Sequence, residues 1–318
     1  MLRLTLAALA LCVAGTAQAA STGGYSSIVI FGDSLSDTGN LYAATGGAIP
    51  AAPYVNGRFS NGPIWADDMI AAFNAKGLFG ASFAYGSANV IENGDFIPDL
   101  GTQIGIFETN VPDAALGDNP LAAIWMGAND LFDALDTMDT AGVVATGVAA
   151  AAGVAQGIAA LAAGGITDFV VLNLPDLALT PAYAMFQTDK AAAAHAGSVA
   201  FNTALAGQLD LLRAGGLNIT GVDIFSLFND LHANPSQYGL SGNFAPCYIP
   251  SVYTCDLVTE AGKLTFFDPV HPSDTVQGAV ADAVSDAITP AAVPLPASAT
   301  LLMGAMIGIA ALRRRAQA

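Results

Sequence analysis

The chain has 318 residues, enough for one large α/β domain, and no Ser- or Pro-rich linker or internal repeat interrupts it. It carries 26 acidic residues against nine lysines and arginines, a formal net charge of −17. A field of that sign disfavours nucleic acid and anionic membrane surfaces and favours solubility, but it does not identify a substrate.

Residues 1–19 read as a secretory signal peptide. Arg3 supplies the positive start, Leu4 to Val13 the apolar core, and Ala17-Gln18-Ala19 a small-residue cleavage site. That core is too short to span a bilayer stably. A first strand is predicted over 27–31, and it stops abruptly at Gly32-Asp33-Ser34-Leu35. This places a serine hydroxyl on the turn leaving a rigid, buried strand, where a nucleophile can be both held and exposed. A helix over 63–73 follows Asn61, its expected cap. A second strand over 81–85 runs into Gly86-Ser87, where a backbone N–H can approach a ligand closely. A third over 121–126 ends at Gly127-Ala128-Asn129-Asp130. Asn129 there either presents its side-chain amide to a ligand or caps the next helix, and the two uses are compatible.

The stretch 141–163 is alanine-rich and uncharged. Its length suits a membrane span, but its low apolar content and Gln156 favour a buried packing helix. Strands over 168–173 and 218–224 flank a helix over 191–213, and a helix over 273–288 follows. Most of the strands are continuous apolar runs, as expected of parallel strands covered on both faces. The order predicts a three-layer α/β/α sandwich around a mostly parallel sheet of about five strands, with the site at the strand C-terminal edge.

A serine nucleophile needs a base within hydrogen-bond reach and a third group to orient that base. The chain has three histidines. His195 reads as part of a solvated helix face and His232 as part of a loop. His271 sits between two prolines in Asp268-Pro269-Val270-His271-Pro272, with Asp268 spaced to contact its imidazole across a stiff turn. In isolation Asp-x-x-His reads more simply as a helix N-terminus; beside Ser34 it reads as a base and its orienter.

These junctions, in this order, resemble the GDSL or SGNH family of serine esterases and lipases. Asn56-Gly57-Arg58-Phe59-Ser60-Asn61-Gly62 and Asn173-Leu174-Pro175-Asp176-Leu177 add further likeness, and the resemblance covers roughly residues 25–290. It implies an SGNH-hydrolase, flavodoxin-like fold over a domain spanning 20–290. It implies Ser34 as nucleophile, His271 as base and then acid, and Asp268 as orienter. It also implies an oxyanion hole built from the Ser34 amide, a glycine amide and the Asn129 side chain. In relatives the second segment usually carries two adjacent glycines, the later one donating. Here the later position is Ser87, so the donor is left open between Gly86 and Ser87.

Cys247 and Cys255 are the pair that remains once Cys12 leaves with the leader, and in an oxidising compartment they are expected to form a disulfide. They have no further ligands to complete a zinc set. At the other end, Val293-Pro294-Leu295-Pro296-Ala297 precedes an apolar run and Arg313-Arg314-Arg315. Residues 293–318 resemble a PEP-CTERM sorting signal. That implies recognition by a sorting protease of exosortase type, with a simple membrane anchor as the alternative. Between the two ends lie all 26 acidic residues and only five basic ones.

The sequence therefore predicts an exported monomer, periplasmic, cell-surface or extracellular in a Gram-negative bacterium, that touches the membrane only through its C-terminal segment. It is expected to cleave carboxylic esters of lipids or small acyl groups, with no metal or organic cofactor. An O-acetyl-polysaccharide deacetylase and an acyltransferase are alternatives of the same chemistry. A surface or matrix binding protein with an inactive site is an alternative of another class. Substrate selection is assigned to loops near 40–58 and 178–188.

Overall fold

Strand β1 (Ser27–Gly32) is buried at every position. It pairs in parallel with β2 (Phe79–Ser82) on one side and β3 (Pro120–Trp125) on the other. Strands β4 (Asp168–Leu172) and β5 (Asn218–Val222) extend the sheet beyond β3, all parallel, in the order β2-β1-β3-β4-β5. The chain is described here from a computed structural model, over residues 20–289 apart from residue 251. The leader read at 1–19 and the sorting signal read at 293–318 lie outside the described residues.

Because side chains alternate across a strand, each strand feeds two cores. Val29, Phe31, Ala122, Ile124, Phe169 and Val171 point into one. There they meet helices α3 (Leu100–Asn110), α5 (Ala128–Thr137), α6 (Thr140–Ala163) and α7 (Ala191–Ala214). Ile28, Ile30, Ala123, Trp125, Val170 and Leu172 point into the other. That layer is covered by α2 (Trp65–Asn74), α8 (Ile224–Ala233) and α9 (Asp274–Ile288). Short helices α1 (Asn40–Ala44) and α4 (Asp113–Leu116) lie in the connections. A small antiparallel hairpin, β6 (Tyr248–Ile249) and β7 (Val252–Tyr253), stands apart from the main sheet. The three-layer sandwich predicted from the sequence is the fold.

Helix α6 meets the length and composition of a membrane span, yet Val143, Gly147, Ala150, Ala151 and Val154 are buried against neighbouring helices. A Cβ on Gly147 would come within 2.9 Å of the Gly197 carbonyl, so α6 and α7 approach as closely as only small residues permit.

Several predicted boundaries move for local reasons. The second strand begins two residues earlier than predicted and ends at Ser82. The predicted residues still run beside β1, with the Phe83 and Tyr85 amides donating to Ile30 and Gly32. Asn40 Nδ2 takes the Ser82 and Ala84 carbonyls on the open edge. The fifth strand stops at Val222 because Asp223 caps α8, its carboxylate accepting the Ser226 amide. His232 accordingly lies in a helix and not in a loop. Asn61 does not cap α2. The Asp67 side chain accepts the Ile64 amide there, while Asn61 Oδ1 accepts the Asp274 amide at the start of α9.

Candidate active site

The turn after β1 is fixed from below. A Cβ on Gly32 would stand 2.6 Å from the Trp125 carbonyl oxygen, so only glycine lets β1 run this close to β3. The fully buried Gln103 side chain of α3 reads both faces of that residue: Oε1 accepts the Gly32 amide at 3.0 Å, and Nε2 donates to the Gly32 carbonyl at 2.8 Å. The remaining Nε2 proton goes to the Pro98 carbonyl. Asp33 Oδ1 accepts the Leu35 amide and tightens the turn. Ser34 then projects from the sheet edge.

The second element is the turn before α9. Asp268 Oδ1 accepts the Val270 and His271 amides at 2.8 and 2.7 Å, and the Phe267 amide donates back to the His271 carbonyl. Asp268 Oδ2 takes His271 Nδ1 at 2.6 Å and also the Tyr54 hydroxyl. The other ring nitrogen, His271 Nε2, lies 2.8 Å from Ser34 Oγ. A carboxylate at Nδ1 fixes the tautomer that leaves Nε2 free to accept from a hydroxyl. Burial works to raise the Asp268 pKa. It is outweighed by the His271 charge and by the hydrogen bonds from His271, Tyr54 and the Val270 amide, so the group sits below the usual carboxylate range.

The third element is the loop after β2, which has no secondary structure of its own. Asp37 Oδ2 accepts the Gly86 amide at 2.8 Å, and Asp37 also holds the amides of Gly39, Asn40 and Leu41. Asp99 accepts from Asn89, and Asp130 accepts from Val90 and Ile91. The Ala88 amide donates to Tyr85. From Tyr85 to Ile91 the Ser87 amide alone lacks an acceptor among the described residues, and Ser87 lines the cavity above Ser34 with φ of +66°. Of the two positions left open, Gly86 commits its amide to Asp37, and Ser87 lines the cavity. Asn129 lines the same cavity and donates one Nδ2 proton to the Ala88 carbonyl, leaving the other available. It is not the helix cap, because Gly127 occupies that position at φ of +120°, where a Cβ would meet the Phe201 ring at 2.5 Å.

The cavity holds about 210 Å³. Leu35, Phe59, Phe132, Phe228, Phe266 and Val270 form most of its apolar wall. The other histidines stand outside it. His195 Nδ1 bonds Asp176 at 2.7 Å on the α7 face, and His232 stacks on Phe244 at 4.0 Å. Cys247 and Cys255 are joined in a disulfide that closes the β6–β7 hairpin, and the Tyr248 amide inside it donates to the Phe267 carbonyl.

Sequence reasoning missed Gln103, Asp37 and Tyr54. Gln103 had a signal: Leu100, Gln103, Ile104 and Phe107 share one helical face, so a polar residue stood at a core position. Tyr54 had none, since its partner lies 214 residues away.

A parallel sheet with a Ser–His–Asp chain at its C-terminal edge, beside a mostly apolar cavity, fits a carboxylic-ester hydrolase. The family model for GDSL-like lipase/acylhydrolase matches residues 28–284, and the chain belongs to that family. It is 33% identical over 251 residues to the phosphatidylcholine-sterol acyltransferase of Aeromonas hydrophila, covering 74% of this chain and 70% of that one. It is 27% identical to the thermolabile hemolysin of Vibrio parahaemolyticus over 80% of this chain and 62% of that protein. With esterase EstA of Pseudomonas aeruginosa the identity is 29%, over 89% of this chain and half of that one. Among solved structures, the acetyl xylan esterase AlAXEase overlays with a TM-score of 0.43 and 14% identity, over 82% of this chain and 98% of that one.

The carboxylates that build the site carry a pH signature. Burial pushes Asp33 up to about 7 and Asp130 to about 6, against an ordinary value of 3.8, and it also raises Asp37 and Asp99. A raised folded-state pKa means the folded protein binds more protons than the unfolded chain, so stability falls as pH climbs from about 4 to 7. Asp268 has the opposite sign, and its contribution is lost only as pH falls below the ordinary carboxylate range. The melting temperature is therefore expected to be a few degrees higher near about pH 5 than near about pH 8. A melting temperature that rises over that interval would contradict the burial of these groups.

Proposed function

We propose that Ser34 is the nucleophile of an acyl-enzyme mechanism acting on carboxylic esters with an apolar acyl chain. The observation that carries the reading is the 2.8 Å contact between Ser34 Oγ and His271 Nε2, both lining the cavity, continued through Nδ1 to Asp268. Ser34 Oγ attacks the ester carbonyl as His271 Nε2 takes its proton, and Asp268 stabilises the imidazolium that forms. The oxyanion meets the Ser34 and Ser87 amides and the free Asn129 proton. Both of those amides lack another acceptor among the described residues. His271 then protonates the departing alcohol, and water activated by the same imidazole releases the acid.

Acyl transfer to an alcohol is the second reading, supported by the relative named an acyltransferase. It needs no new group, since an alcohol replaces water in the second half. The apolar wall favours a hydrocarbon chain over an acetylated sugar. Export belongs to the same reading and is supported by the leader pattern and the Cys247–Cys255 bond; native protein found reduced in the cytosol would refute it.

A series of p-nitrophenyl esters tests the substrate class. Specificity (kcat/KM) is expected to climb by up to about fourfold per methylene from acetate, until the cavity is full. Acetate turned over better than every longer ester would instead point to small O-acetyl substrates.

A further inference from the structure

We infer that Tyr54 is a positioning residue for this reaction, its hydroxyl holding the Asp268 carboxylate in line with His271. The inference rests on the reading of Ser34, His271 and Asp268 given above.

The Tyr54 hydroxyl donates to Asp268 Oδ2, the same oxygen that takes His271 Nδ1. Two backbone amides hold Oδ1. The carboxylate thus has two donors on each oxygen, and its side chain is only 4% exposed. The amides come from its own turn and fix Oδ1 relative to the local backbone. Tyr54 is the only one of the four donors that reaches it from elsewhere in the chain. It sits on the loop between α1 and α2 and ties the turn before α9 to that loop.

The phenol ring is itself held by three aromatic neighbours. Phe267, Phe59 and Tyr248 lie with ring centroids at 5.4, 5.8 and 5.8 Å. Phe59 also packs at 5.2 Å from the His271 ring. The aromatic cluster therefore sets both the direction of the Tyr54 hydroxyl and one face of the imidazole. The titratable groups facing this assembly are Asp268 and Tyr248 beside Tyr54, and Asp33 beside His271. Burial, and then the charge of Asp268, push the Tyr54 phenol far above its ordinary value, so it remains a donor at any working pH.

Asp268 has two tasks toward His271, and Tyr54 affects them in opposite senses. It must orient the ring, which the Tyr54 bond assists. It must also stabilise the imidazolium, which the bond weakens by drawing charge from Oδ2. Removing the hydroxyl while keeping the ring therefore has two separable effects. Tyr54→Phe is expected to lower kcat by about tenfold with KM within about twofold, the size of one lost hydrogen bond to a charged group. It is also expected to move the acid limb of the kcat/KM profile to higher pH, because the imidazole becomes more basic. A role confined to packing would lower the melting temperature and leave that limb in place.

The experiment is a cycle of Tyr54→Phe, Asp268→Asn and the double variant, with full pH profiles on one ester. Tyr54→Phe should cost little or nothing further in the Asp268→Asn background. The same fold-loss in both backgrounds, or a single variant with wild-type kcat and an unmoved acid limb, overturns the inference. Site-specific 3-fluorotyrosine at position 54 keeps the ring and strengthens the donor, and it should move the limb to lower pH; an unmoved limb there also overturns it. Wild-type turnover by Asp268→Asn alone would mark a failure of the underlying site reading, which is a distinguishable result.

Discussion

Ser34→Ala is expected to lower ester turnover by about four to six orders of magnitude while leaving the fold intact. The loss is large because, in the proposed mechanism, acylation forms and deacylation breaks an ester on this one oxygen. Without it, only the donors and the cavity remain to act on a bound ester. The fold is expected to survive because, among the described residues, the Ser34 side chain hydrogen-bonds only His271. The turn is held instead by Gln103, Asp33 and the close packing at Gly32. The melting temperature of the variant should stay within about two degrees of the parent. A fluorophosphonate probe should label Ser34 in the parent and nothing in the variant. Strong labelling of Ser34→Ala would place the nucleophile elsewhere.

His271→Ala is expected to cost nearly as much, about three orders of magnitude or more, because an unassisted serine hydroxyl is a poor nucleophile near neutral pH. The comparison with the other histidines makes the test specific. His195→Ala removes a contact with Asp176 on the α7 face, and His232→Ala removes a stack on Phe244. Neither ring lines the cavity, so each variant should keep turnover within about threefold of the parent. Near-normal turnover by His271→Ala would remove the basis for reading Asp268-Pro269-Val270-His271 as part of the site.

The sequence made some of this architecture legible and concealed the rest for definable reasons. Strands β1 and β3 were readable because they are buried on both faces and so appear as uninterrupted apolar runs. The juxtaposition of Asp268 with His271 was readable because it is local: the two stand three residues apart in a turn that carries Pro269 and Pro272. The choice between Gly86 and Ser87 was not, because it turns on which amide Asp37 captures from 49 positions away. Helix α8 was missed because Asp223 ends the fifth strand through a side-chain cap to Ser226, while apolar residues stand on both sides of it at Val222 and Ile224. Tyr54 acts through a side chain meeting a partner remote in the chain, which no local pattern encodes; for Gln103 the helical face marked a buried polar residue but not its Gly32 partner 71 positions away.

The three groups of the proposed oxyanion hole follow three adjacent strands. Ser34 leaves β1, Ser87 follows β2 and Asn129 follows β3, and β1 pairs directly with both neighbours. Parallel strands stand about 4.8 Å apart whatever their side chains. The spacing between the strands that lead to these groups is thus inherited from peptide-bond geometry, much as a lattice constant is inherited from atomic radii. The cavity wall and the alcohol side can then vary without changing that strand spacing, because neither of them sets it.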